Sequence, residues 1–137
     1  MTEILPNCNY DFQVGTTFAW SGIFQFKGRT PDYSGNKTDE PVDLVIFGDL
    51  GAGPVAIPTI DSLIDVTNEG EIDGMLHLGD LAYDLEHQNG RKGDLFGREI
   101  EPIATQVPYM TIPGNHDYGK NGTHYKVRYN MPVNDVN

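Results

Sequence analysis

The chain is expected to fold as an α/β protein built on a parallel sheet, and three observations lead there. Short apolar runs alternate with segments whose apolar residues recur at helical spacing, giving the order strand, helix, strand, helix, strand from residue 43 to residue 112. That alternation builds a parallel sheet with right-handed crossovers. Each strand is followed at once by a glycine-containing block with polar side chains: Asp49-Leu50-Gly51, Gly79-Asp80-Leu81-Ala82-Tyr83 and Gly114-Asn115-His116-Asp117. All three then fall at the C-terminal edge of the sheet, where open α/β sheets bind ligands.

At the front, Tyr10, Phe12 and Val14 alternate with polar residues, and Ile23–Lys27 carries Phe24 and Phe26 in phase, with the Gly15-Thr16-Thr17 stretch and the residues after it connecting the two runs. This reads as the closing hairpin of a β-sandwich, too small to fold alone. Gly28 to Pro41 is polar and rich in turn formers and reads as a linker. Asp43–Phe47 is a continuous apolar run, expected to be a strand buried on both faces. Pro58 suits a first helical turn, Ile60, Leu63, Ile64 and Thr67 share one face, and Asn68-Glu69-Gly70 ends the helix. Met75–Leu78 is the second strand. After a loop from Asp84 to Gly93, Asp94 is expected to cap a helix with Phe96, Ile100 and Ile103 on one face, kinked or shortened by Pro102. Tyr109–Ile112 is the third strand.

The 137 residues carry a net charge of -11, and the nine Lys and Arg do not cluster. Nucleic acid and anionic membrane are therefore excluded as partners. The same acidity repels a phosphate ester at long range, so phosphate chemistry here requires cations to reverse the local field. No apolar run approaches a membrane span, and Met1–Tyr10 lacks the features of a signal peptide. Asn36-Lys37-Thr38 and Asn121-Gly122-Thr123 are N-glycosylation sequons in turn-like segments. Cys8 is single, so no internal disulfide forms, and it reads as a small semi-buried side chain.

Asp49 and Asp80, at adjacent strand ends, would repel each other, and a shared cation resolves this. Alone, Asp49 reads as a carboxylate capping its turn, and it is the pairing with Asp80 that turns the reading toward a metal. Tyr83 can return toward Asp80 if Leu81 and Ala82 turn tightly, offering an oxygen ligand whose pKa a highly charged metal must lower; the competing reading is an aromatic packed under the loop. A neutral Asn115 carbonyl suits a divalent ion beside a crowded anionic cluster, and His116 suits phosphate contact or protonation of a leaving group. His77, inside the second strand, reads as core; His87 and His124 read as loop histidines.

These blocks, together with Ile100-Glu101-Pro102, Val107-Pro108-Tyr109-Met110 and Arg128-Tyr129-Asn130-Met131-Pro132, resemble the purple acid phosphatases of the metallophosphoesterase superfamily, in their long two-domain form. The segment Leu5-Pro6-Asn7 with Tyr10, Val14-Gly15 and Trp20-Ser21 is similar to the end of the fibronectin type III-like domain preceding the catalytic domain. The resemblance implies the first half of a metallophosphoesterase α/β sandwich at 42–137, a linker at 30–41, and the last strands of the fibronectin type III-like β-sandwich at 1–29. It implies a binuclear centre of Fe(III) with Zn, Mn or Fe(II), in which Asp49 and Tyr83 bind ferric iron, Asp80 bridges and Asn115 binds the second ion. His116 then assists the substrate, a phosphate monoester. The family pattern continues with Val-x-x-His and Gly-His-x-His blocks, neither of which occurs before Asn137, so the chain is expected to be a fragment without phosphatase activity by itself. A non-catalytic glycoprotein and a divalent-only phosphoesterase are the alternatives. Placement is expected to be extracellular or endolysosomal, and a homodimer of the full-length protein is compatible with the family.

Overall fold

Why the sheet buries one face and not the other follows from where its two crossover helices lie. In the computed structural model, which describes residues 4–5, 7–28 and 42–132, strands β3 (Leu44–Phe47), β4 (Gly74–Leu78) and β5 (Tyr109–Ile112) form a parallel sheet in the order β3-β4-β5. Helix α1 (Ile57–Glu69) connects β3 to β4, and α2 (Arg91–Ala104) connects β4 to β5. Leu63 of α1 and Ile103 of α2 pack with Met75, Val45, Phe47 and Tyr109 in one cluster, so both helices cover the same side of the sheet. Side chains alternate across a strand, and Leu44, Ile46, Leu78 and Ile112 consequently project from the other side, where all four are exposed. The expectation that the first strand is buried on both faces is corrected accordingly.

Strands β1 (Asn9–Phe12) and β2 (Phe24–Lys27) pair antiparallel, with Tyr10 opposite Phe26 and Phe12 opposite Phe24. These cross-strand rings meet at centroid separations of 5.3 and 5.5 Å, the aromatic pairing that stabilises a sheet face. The hairpin is the one the alternating aromatics imply. Cys8 beside it is exposed, contrary to the semi-buried reading.

Helix ends follow local chemistry. Pro58 sits in the first turn of α1, and Gly70, at φ 72°, closes it in the left-handed conformation that glycine adopts without steric cost. Helix α2 begins at Arg91 after Gly90, not at Asp94, because the turn at Glu86–Gly90 delivers the Gly90 carbonyl to the Asp94 N–H one turn earlier than expected. Asp94 lies in the first helical turn, where its carboxylate meets Arg128 at 2.7 Å. Pro102 is accommodated within the helix, which ends at Ala104. His124 lies in α3 (Gly119–Arg128), not in a loop, while His87 lies in the turn before α2.

His77 is core, as its place in β4 implies: it is fully buried, its ring packed at a tilt against Phe47 at 4.5 Å, with Nδ1 2.9 Å from the Tyr109 hydroxyl. Its Nε2 is buried without a hydrogen-bond partner. Burial lowers its pKa from 6.5 to about 4, against the opposing pull of Asp49 and Asp80. A depressed folded-state pKa means that stability is fully present above about pH 6.5 and is lost as pH falls toward 4, by roughly 3 kcal/mol. Chemical denaturation of wild type and His77→Phe at pH 7 and pH 4.5 is expected to show a smaller loss in the variant; equal losses would mean that His77 does not carry this dependence.

Candidate metal centre

The loops leaving β3, β4 and β5 are tied to one another by backbone contacts before any side chain acts. The Asp49 N–H donates to the Gly79 carbonyl at 3.1 Å, and the Gly51 N–H to the Leu81 carbonyl at 2.9 Å, so the first two loops run together. The second and third loops touch at glycines: a Cβ on Gly79 would stand 2.5 Å from the Gly114 nitrogen, and one on Gly114 would collide with the Asp80 carboxylate. No other residue fits either place.

Asp49, Asp80 and Tyr83 all adopt positive φ, at 57°, 52° and 53°. Left-handed non-glycine residues carry a conformational cost and cluster at functional sites. The turn over Leu81 and Ala82 brings Tyr83 back over the edge, where its hydroxyl donates to Asp49 Oδ1 at 2.8 Å. That bond is the main cause that raises the Tyr83 pKa above its ordinary value. Tyr83 is thus directed at the first loop and is not packed beneath its own. Its ring lies 4.7 Å from that of His116.

On the other side, Asp80 Oδ1 accepts the His116 backbone N–H at 2.9 Å. A 3-10 turn, Asn115–Tyr118, carries Asn115 at its head with an exposed side chain and His116 next. His116 Nδ1 lies 3.0 Å from Asp84 Oδ1, and this bond is foremost among the causes raising its pKa, with burial opposing. Asp49 is therefore joined to Tyr83, and Asp80 to His116, with the tilted contact of the Tyr83 and His116 rings linking the two pairs.

Two acidic residues of this edge, Asp84 and Asp117, escaped the sequence reading. The first directly follows Tyr83. The second sits three residues after Gly114, the spacing at which an acidic side chain bonds back to the start of a turn, and its Oδ2 accepts the Gly114 N–H at 2.9 Å. Burial pushes the Asp117 carboxyl up, and backbone donors from Gly114, Leu81 and Asp80 hold it back.

Among the described residues no group of three or more His, Cys, Asp or Glu could by itself hold a metal ion. The donor set is mixed: carboxylates, a phenol and an amide carbonyl. Hard oxygen donors of this kind suit hard cations, and the Asp49 and Tyr83 oxygens, 2.8 Å apart, are spaced as two ligands of one ion could be. The residues present fit a metal centre in part.

Residues 42–137 match the family model described as calcineurin-like phosphoesterase. The chain belongs to this family. It is 40% identical over 133 residues to human acid phosphatase type 7, covering 96% of this chain and 28% of that protein. Against an Arabidopsis thaliana protein named "Probable inactive purple acid phosphatase 27" it is 33% identical over 147 residues, covering 91% of this chain and 22% of the relative. The structure of a purple acid phosphatase from yellow lupin (Lupinus luteus) seeds superposes with a TM-score of 0.74 at 27% identity, covering 98% of this chain and 28% of that one. The chain thus spans about a quarter of the relatives it matches. It is purple acid phosphatase-like, within a family of hydrolases that implies a binuclear metal centre.

The Asp84 contact can be tested directly. The His116 ring, followed by NMR, is expected to titrate above 6.5 in the wild type and closer to 6.5 in Asp84→Asn; an unchanged midpoint would mean that the two side chains do not pair in solution.

Proposed function

We propose that a protein carrying this segment is an acid phosphatase that hydrolyses phosphate monoesters with a binuclear Fe(III)–M(II) centre, M being zinc, manganese or iron. The observation that carries this reading is the Tyr83 hydroxyl seated on Asp49. Asp49 and Tyr83 would hold the ferric ion, Asp80 would bridge, and Asn115 would hold the divalent ion. When bound, such a pair supplies positive charge to the phosphoryl oxygens and lowers the pKa of water. Tyr83 must give up its proton to serve as a ligand, and Asp49, which receives that hydrogen bond, is the neighbour that draws the oxygen into position. Asp84 occupies the Nδ1 side of His116, which leaves Nε2 as the nitrogen with which His116 would protonate the departing alkoxide.

The hairpin β1–β2 supports reading residues 1–29 as the end of a fibronectin type III-like domain, ahead of the first half of the catalytic domain at 42–137; the linker proposed at 30–41 lies outside the described residues. Extracellular or endolysosomal placement, with glycosylation, is supported at Asn121, which is exposed on a left-handed turn at φ 62°. Asn36 lies outside the described residues. Among these no helix is long and apolar enough to cross a membrane. A non-catalytic role is the second reading, and it rests on the word "inactive" in the name of the Arabidopsis relative.

Loading with ferric iron is expected to produce a visible tyrosinate-to-iron absorption band that is absent from Tyr83→Phe. A wild type that binds iron without that band would contradict the ferric assignment and favour a divalent-only site. In the full-length protein, hydrolysis of p-nitrophenyl phosphate lost in Asp80→Ala is expected; no hydrolysis despite metal loading would favour the non-catalytic reading.

A further inference from the structure

Asp117 is 1% exposed, yet its carboxylate faces no cation among the contacts it makes. A buried carboxylate is retained only where donors compensate its desolvation. Here the donors are backbone amides from two different loops. Leu81 N–H, directly after Asp80, reaches Oδ1 at 3.2 Å and Oδ2 at 3.3 Å, and Gly114 N–H, directly before Asn115, reaches Oδ2 at 2.9 Å. The carboxylate therefore spans the seam between the residue after Asp80 and the residue before Asn115. At that seam Gly79 and Gly114 approach so closely that neither tolerates a Cβ, so a change in loop separation would move Asp80 relative to Asn115.

We propose that Asp117 is a positioning residue that clamps the loops after β4 and β5 and so sets the distance between Asp80 and Asn115, and with it the affinity for the second metal ion. This role rests on the metal reading of the site given above. Groups that orient ligands without touching the metal commonly change affinity by about 10- to 100-fold when altered.

The test combines Zn²⁺ titration by calorimetry with amide hydrogen exchange at Leu81 and Gly114, in wild type, Asp117→Asn, Asp117→Glu and Leu63→Ala. Leu63→Ala removes core packing beneath α1, touches neither Asp117 nor its amide donors, and controls for general destabilisation. Asp117→Asn is expected to weaken Zn²⁺ binding roughly tenfold or more and to speed exchange at both amides, whereas Leu63→Ala lowers the melting temperature with unchanged affinity. Wild-type affinity in Asp117→Asn, or an equal loss in Leu63→Ala, would overturn the clamp. Should Asp117→Asn not fold, Asp117→Glu, which displaces the carboxylate by one methylene, is judged by the same two outcomes. A wild type that binds no Zn²⁺ would overturn the metal reading itself and this role with it.

Discussion

The contact between Gly79 and Gly114 is the constraint on which the rest of the edge depends. Parallel pairing fixes Leu78 opposite Ile112, so the chain leaves both strands at the same level and the two following loops begin side by side. Only residues without a Cβ allow them to stay that close. With the loops in contact, the His116 N–H reaches the Asp80 carboxylate and Asp117 reaches back to Leu81. Strand register, a steric limit on two glycines and two hydrogen bonds from backbone amides to carboxylates thus precede any chemistry at the site. The left-handed conformations of Asp80 and Tyr83 are held by this framework and turn Tyr83 toward the first loop.

Charge gives the edge its purpose. A chain with net charge -11 has concentrated Asp49, Asp80, Asp84 and Asp117 around one sheet end, an arrangement that repels anions. Protons and amides moderate it: Tyr83 lends its hydroxyl proton to Asp49, His116 sits against Asp84, and amides surround Asp117. Cations placed among these groups would replace the tyrosine proton and reverse the local field. Membership of a metal-dependent phosphoesterase family agrees with that electrostatic reading.

Much of the fold was legible because its signals are local. The apolar runs of β3 and β5, the Pro58 start and Gly70 stop of α1, and the aromatic phase of β1 and β2 each depend on neighbours in sequence. What the sequence hid depends on neighbours in space. Leu44 and Ile46 look like residues of a doubly covered strand, and only the shared side of α1 and α2 leaves them exposed. The start of α2 moved because the preceding turn offered the Gly90 carbonyl to Asp94. At the site, Asp49, Asp80, Tyr83, Asn115 and His116 could be singled out by their place after strand ends. Asp84 could not, since its partner His116 lies more than thirty residues away, and the spacing of Asp117 signals only its bond to Gly114, not the one that ties it to Leu81.

The three loops would form one cradle for the proposed pair of metal ions. Anomalous diffraction from crystals grown with iron and zinc tests it most directly. Anomalous density is expected beside Asp49 and Tyr83, with a second peak between Asp80 and Asn115. Metal bound only elsewhere on the acidic surface, with the Tyr83 hydroxyl still on Asp49, would contradict it.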